Sequence, residues 1–320
     1  MTMARVNVDQ WIREEYGSPV DLAVRQNSAV ENLARREPMG TDTKTLNRYG
    51  DVGVAVTAKG SAYNEEQPTG DEVTLTARKF TAVLRIAEED IADLPASGVA
   101  NYVSERQRDW ASSYARFLDN ACLGVSAAAN GTTIPFTSAY RAVTTADAGV
   151  GYVANANHIN TQGAVTYADL SALLAISESG EFFDPGNTIV IAHPSFLATI
   201  RGMLGSDGRP IFEGNAQAGG NANLFGIPLQ FSVGAKVSAT ATRSPGGAGG
   251  AKGTAGNPLM YVAHRQHLIL GVRSGPEYFN IPGSTGAAAL TDENLIKMRS
   301  RRAFSVGDPR AIAVLEASTV

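Results

Sequence analysis

Residues 52–123 constrain this chain more than any other stretch. They read as an extended arm, a polar tip, a long returning strand and one long amphipathic helix. The arm is Val52-Gly53-Val54-Ala55-Val56, the tip runs from Lys59 to Glu72, and the return strand runs from Val73 to Ala87. A hairpin this long, so early in a chain, has little partner surface nearby to fold against. It predicts a part that lies on another subunit, and so an assembling structural protein and not a self-contained enzyme.

The return strand changes face. Val73, Leu75 and Ala77 occupy odd positions, whereas Phe80, Ala82, Leu84 and Ile86 occupy even ones. Side chains alternate faces along a strand, so the apolar face switches sides at Arg78-Lys79. Such a switch means a bulge or a change of packing partner. Arg78-Lys79 is therefore read as the exit from a projecting loop into the body.

Glu88-Glu89-Asp90 opens a short helix that Pro95 ends, and Ser97 is placed to cap the next. From Val99, the residues Tyr102, Val103, Trp110, Tyr114, Phe117, Leu118 and Ala121 form one stripe at period 3.6, and Gly124 ends it. Ahead of the hairpin, Ser18-Pro19-Val20-Asp21 starts a helix whose last turn holds Arg35 and Arg36 and which Glu37-Pro38 stops. This predicts an arm that packs on neighbours.

Charged residues make up 18% of the chain, below the usual ~25%. That fits a surface covered by copies of itself, because interface cores are depleted in charge. The net charge of −4 supplies no basic excess for nucleic-acid phosphates. Cys122 is the single cysteine, which excludes an internal disulfide, and its helical neighbours predict burial. No apolar signal-peptide core follows Met1, and no run approaches the ~18 apolar residues of a membrane span. The chain reads as soluble and made in a cytoplasm.

Beyond the helix, Tyr167–Ser179 predicts a helix capped by Thr166, and Thr188–Ala192 a buried strand that turns at His193-Pro194-Ser195 into another helix. Leu224-Phe225-Gly226-Ile227 reads as a turn into a strand, and residues 244–257 as a flexible glycine-rich loop. Leu259–Val272, Asn294–Val306 and Ala311–Leu315 read as strands. Helices and strands mix without a regular alternation, so the class is α+β.

Patterns for chemistry are missing. His264 and His267 are three residues apart but fall in a probable strand, where that spacing puts them on opposite faces. No Gly-x-Ser-x-Gly elbow is present, and Ala251-Lys252-Gly253-Thr254 lacks the phosphate-cradling pattern. No catalytic, cofactor or metal residue is assigned. Glu65, Glu66, Asp71 and Glu72 cluster at the hairpin tip. Their functional reading is docking onto a neighbour's basic patch such as Arg299, Arg301 and Arg302, with Arg78 and Lys79 also at the contact.

The order of arm, long hairpin, acidic short helix and long helix resembles the major capsid proteins of tailed bacteriophages, the Hong Kong 97-type fold. Asp71–Phe80 through Ile86–Ile91 is similar to the extended loop returning into the peripheral domain, and Val99–Leu123 to the spine helix. Thr188–Leu204 and Leu224–Leu229 resemble the axial domain, and Leu295–Phe304 with Asp308-Pro309-Arg310-Ala311 the closing strands. The resemblance implies an N-terminal arm over 1–49, an extended loop over 50–80 and a peripheral domain with spine helix over 81–135. It places the axial domain at 136–271 and the closing strands at 272–320, the last of which can return to the axial domain.

The same resemblance implies a homo-oligomer of pentamers and hexamers. They form an icosahedral shell around double-stranded DNA, without sequence-specific binding or a membrane. It implies assembly in the host bacterial cytoplasm and residence in the virion. A separate scaffolding protein, a portal and a decoration protein are the implied partners. Some members form Lys–Asn crosslinks between subunits; Lys59 lies in the hairpin, but no partner Asn or assisting Glu can be matched. The alternatives are an encapsulin-type nanocompartment shell and, from another class, a hydrolase or binding domain built on the Gly/Asn-rich loops.

Overall fold

The computed structural model describes residues 28–49, 54–63, 70–93, 96–204, 223–247, 250–282 and 291–319. The first part of the helix expected from Ser18, up to residue 27, and the tip acids Glu65 and Glu66 lie outside them. Three sheets organise the chain. A four-stranded sheet has the order β1 (Arg35–Pro38), β10 (Leu268–Ile281), β11 (Glu293–Val306), β4 (Arg78–Ala87). A six-stranded sheet has the order β5 (His158–Ala164), β12 (Ile312–Thr319), β9 (Leu259–His264), β6 (Thr188–Ala192), β8 (Ile227–Phe231), β7 (Asn223–Leu224). β2 (Thr43–Tyr49) and β3 (Gly70–Thr76) pair as an antiparallel ribbon.

The face switch in the return strand is a change of partner. β3 ends at Thr76 and β4 begins at Arg78, with Ala77 between them. Before the break, Leu75 packs with Met39, Ile269 and Ala303. After it, Phe80 packs edge-on against Tyr114 and Phe117, and Ile86 joins Tyr102, Ile296 and Met298. Of the expected arm Val52–Val56, Val52 and Gly53 lie outside the described residues, and Val54–Val56 form no strand and do not pair with β3. The outgoing partner of β3 is Thr43–Tyr49, where Leu46 faces Val73. A single central apolar residue among polar ones carried too little periodicity to mark that strand.

The stripe from Tyr102 to Ala121 is the buried face of α3 (Ala96–Leu123), 28 residues, about 42 Å long at ~1.5 Å per residue. Ser97 sits inside this helix, not at its cap. Nearer the start of the described chain, α1 (Ala29–Leu33) is short, and Arg35, Arg36, Glu37 and Pro38 are strand β1, not a helix end. β1 runs parallel to β10 and extends the four-stranded sheet.

The central strands of the six-stranded sheet are buried on both faces. Ile189, Ile191, Ile312 and Val314 face the cluster built on α3 and α4 (Ala139–Thr144). Val190, Ala192, Ala313 and Leu315 face α5 (Tyr167–Glu178) and α6 (Phe196–Gly202). This is why Thr188–Ala192 reads as an unbroken apolar run. Thr166 caps α5 in a reciprocal capping box with Asp169.

The stretch expected as one strand over Leu259–Val272 is two. A single 3₁₀ turn at Arg265–His267 separates β9 from β10 and carries the chain from one sheet to the other. A second turn, Pro309–Ala311, takes β11 back to β12. The two crossings touch, because the Gly307 N–H donates to the His267 carbonyl at 2.8 Å.

Candidate inter-subunit surfaces

The projecting segment 54–63 lies between the two strands of the ribbon. Val54 is 98% exposed, Val56 is fully exposed and Tyr63 is 89% exposed. No described residue of the same subunit covers these apolar side chains, and exposed apolar groups that lie together are the kind of surface that marks a contact with another chain. The ribbon behind them is fixed to the body through Arg48. Its guanidinium bridges Asp71 on β3, reaches Asp147 at 2.9 Å and donates to the Gly307 carbonyl at 3.0 Å. The Asp71 carboxyl is held below the ordinary aspartate range, first by the Glu72 N–H and then by Arg48. Asp71 therefore anchors the base of the loop within the chain, while Glu72 stays exposed.

The arginines singled out from sequence divide between the two faces of the four-stranded sheet. Arg302 is 6% exposed and points inward, where it pairs with Glu31 at 2.9 Å. Arg78 lies opposite it in register and packs its guanidinium against Gly131. On the outer face, Arg299 pairs with Glu277 at 2.7 Å and stacks on Phe279, and Arg301 pairs with Asp42 at 2.6 Å. Lys79 is exposed directly opposite Arg301. The structure thus brings Lys79, Arg299 and Arg301 together and takes Arg78 and Arg302 away from them. Alternation along β4 and β11 is the signal that separates the two sets.

His264 and His267 do not point to opposite faces. The 3₁₀ turn breaks the alternation and brings their rings to 5.4 Å between centroids. Among the described residues, no group of three or more His, Cys, Asp or Glu is placed to hold a metal ion. His193 Nδ1 lies 2.7 Å from Ser195 Oγ, a contact within the turn that starts α6. Burial, with Lys236 nearby, pulls the His193 pKa down to about 4. No described helix is long and apolar enough to cross a membrane.

A sequence model of the phage capsid family matches residues 11–317. The chain belongs to the phage capsid family. Capsid-family chains are structural proteins, and solved capsid structures share this fold. The capsid of a native GTA particle superposes with a TM-score of 0.68 at 16% identity, covering 96% of each chain. A structure from Mycobacterium phage Bobi gives 0.66 at 16% identity over 100% of both chains. One from Mycobacterium phage Ogopogo gives 0.66 at 15% identity, covering 98% of this chain and 100% of its own. No curated protein matches the chain by sequence.

Two buried acids of this capsid-family chain escaped the sequence reading. Glu316 on β12 is fully buried between α4 and the glycine-rich loop. Its carboxylate accepts from Tyr140 at 2.8 Å, from Asn257 at 2.6 Å and from the Gly253 N–H at 2.6 Å, with His158 Nε2 at 3.1 Å. The described part of the loop expected to be flexible is therefore wrapped around a buried carboxylate. Asp119 on α3 accepts from the Ser28 and Ser232 hydroxyls and from the Ala29 and Val30 N–H groups. The available signal was a lone acid among apolar residues, as in Ile312-Ala313-Val314-Leu315-Glu316-Ala317. Such an acid is buried only when paired or hydrogen-bonded.

Proposed function

We propose that this chain is the major capsid protein of a tailed bacteriophage, assembling into pentamers and hexamers of an icosahedral shell around double-stranded DNA. The four-stranded sheet with α3 acts as the peripheral domain, and the six-stranded sheet as the axial domain. The residues before Ser28 act as an arm on neighbouring subunits. A separate scaffolding protein, a portal and a decoration protein complete the particle, which assembles in the host cytoplasm.

The observation that carries this reading, beyond family membership, is the uncovered segment 54–63 with Val54, Val56 and Tyr63. A second copy is the natural cover. A surface on one copy that fits a different surface on the next generates a ring when the rotation closes. The basic outer face at Lys79, Arg299 and Arg301 and the acids of the hairpin supply further contacts of that kind. The chain then works mechanically, through contacts between copies, with DNA confined and not read.

Electron microscopy of the expressed chain tests the reading. Uniform shells or capsomers are expected, alone or with a co-expressed scaffolding protein. A chain that stays a 33.5 kDa monomer under all assembly conditions would sink it.

A further inference from the structure

The four-stranded sheet is electrically polar along its strands. At one end, Lys79, Arg273, Arg299 and Arg301 line an open cavity of about 500 Å³ that also includes Glu277. Lys79 stands directly across from Arg301 on the antiparallel pair β4·β11. Like charges in that position repel. Arg301 is answered by Asp42 at 2.6 Å, but Lys79 makes no ion pair among the described residues.

At the other end, β4 runs into α2 (Glu88–Asp93), which carries Glu88, Glu89, Asp90 and Asp93 and no cation. Glu88, Glu89 and Asp93 are exposed, and none of the four acids makes an ion pair among the described residues. Exposed Asp292 sits beside them, its carbonyl accepting from the Glu88 N–H at 2.8 Å. The nearby Arg85 is taken up by Glu293 at 3.0 Å.

These ends cannot neutralise each other within one subunit. Nine residues of strand separate Lys79 from Glu88, or ~30 Å at about 3.3 Å per residue. The screening length at physiological salt is only ~8 Å. Opposite signs at the two ends of one sheet are matched by placing copies head to tail.

Resting on the shell reading above, we infer that the acidic helix α2 of one copy docks into the Lys79/Arg299/Arg301 cavity of the next. The occupant is a second copy of this chain, presented through Glu89 and Asp93. These two are four residues apart and share a helix face. The hairpin is the rival occupant from the same copy; Asp71 at its base is already engaged by Arg48, and its tip acids Glu65 and Glu66 lie outside the described residues.

Charge reversal in the full chain tests the contact. The variants are E89K/D93K, K79E/R301E and the combination of all four substitutions. Thermal unfolding of the unassembled subunit confirms that each variant folds. Sedimentation then reads the protein concentration needed for half-assembly, at two salt concentrations. Each double variant is expected to raise that concentration at least about tenfold. The combination is expected to restore it, because complementarity returns with the signs exchanged.

Assembly of either double variant at the unsubstituted concentration would overturn the contact. So would a combination that fails to recover, which would assign the cavity to the hairpin tip or to nucleic acid. An unsubstituted chain that never assembles would overturn the shell reading itself, a different result from unsubstituted shells with indifferent variants.

Discussion

Asn257 donates its side-chain amide to Glu316 across 2.6 Å in the interior of the six-stranded sheet's flank. The same amide also donates to the Ala251 carbonyl, and the Asn257 carbonyl oxygen accepts from the Gly250 N–H at 2.9 Å. One asparagine thus closes the glycine-rich loop on itself and pins it to the last strand. Glu316→Ala removes the shared acceptor, strands the buried Tyr140 hydroxyl and takes one partner from the buried Asn257 amide. A loss of about 3–5 kcal/mol is expected, as for one partner removed from a buried charged network. Chemical denaturation of the unassembled subunit measures it, and a loss below ~1 kcal/mol would refute the network's role.

Acid should weaken the same network in a definite direction. Burial opposes the Glu316 charge, but hydrogen bonds from His158, Asn257, Gly253 and Tyr140 outweigh it and hold the carboxyl below the ordinary glutamate range. The folded chain therefore releases this proton more readily than the unfolded chain. Its contribution is complete above the unfolded value of about 4.3 and is lost as pH falls through the lower folded value. Between pH 6 and 3, the unsubstituted subunit should lose more stability than Glu316→Gln, whose side chain does not titrate. Equal slopes for the two proteins would remove Glu316 from the acid response.

Asp119 does for the start of the described chain what Glu316 does for its end. It reaches from α3 to Ser28, Ala29 and Val30, and to Ser232 at 2.5 Å. Burial raises its pKa despite these hydrogen bonds. Asp119→Ala should cost about 3 kcal/mol, because it leaves several buried donors unanswered. Asp119→Asn keeps one acceptor and sheds the buried charge, so it should cost less. Hydrogen exchange at the Ala29 and Val30 amides reports the anchor directly. Protection that survives Asp119→Ala would show that α1 is held by packing alone.

Two glycines are fixed by close approach of backbone around α3, Gly234 against the helix itself and Gly124 at its C-terminal end against Lys236. A Cβ on Gly234 would lie 2.6 Å from the Asn120 backbone nitrogen and 2.7 Å from the Asp119 Cβ. On Gly124 it would lie 1.9 Å from the Lys236 carbonyl oxygen. Neither obstacle is the free end of a flexible side chain. Gly234→Ala should destabilise by about 1–3 kcal/mol, the usual cost of overpacking. Gly60→Ala, with nothing within 4 Å, controls for the substitution itself, although its positive φ of 89° adds local strain.

What could be read from sequence was whatever periodicity carries. The stripe on α3, the buried run Thr188–Ala192 and the parity change between Leu75 and Phe80 all survive in the structure, because each reflects a face turned to a core. The misses share a cause too. Arg35–Pro38 became a strand through pairing with Ile269–Val272, more than 230 positions away, which no local pattern reports. His264 and His267 came together because a three-residue turn interrupts an apparently continuous strand. Arg302 turned inward to meet Glu31, a long-range partner that a count of surface cations cannot anticipate. Gly124 was read as a helix stop, which it is, but its tighter constraint is the Lys236 carbonyl across the core.

The uncovered segment gives the sharpest separation between folding and assembly. Val54 and Val56 contact nothing that their removal could disturb, since both are essentially fully exposed. Val54→Asp with Val56→Asp should therefore leave subunit stability within ~0.5 kcal/mol of the unsubstituted chain, as for surface changes away from special features. If a neighbouring copy buries both valines, the substitutions place two carboxylates in an apolar contact. Assembly should then fail, because unpaired charges pay a heavy desolvation cost. Denaturation curves and sedimentation on the same samples check both halves. Normal stability with lost assembly makes segment 54–63 an inter-subunit element. Normal stability with normal shells would leave its exposed valines without a role in the shell.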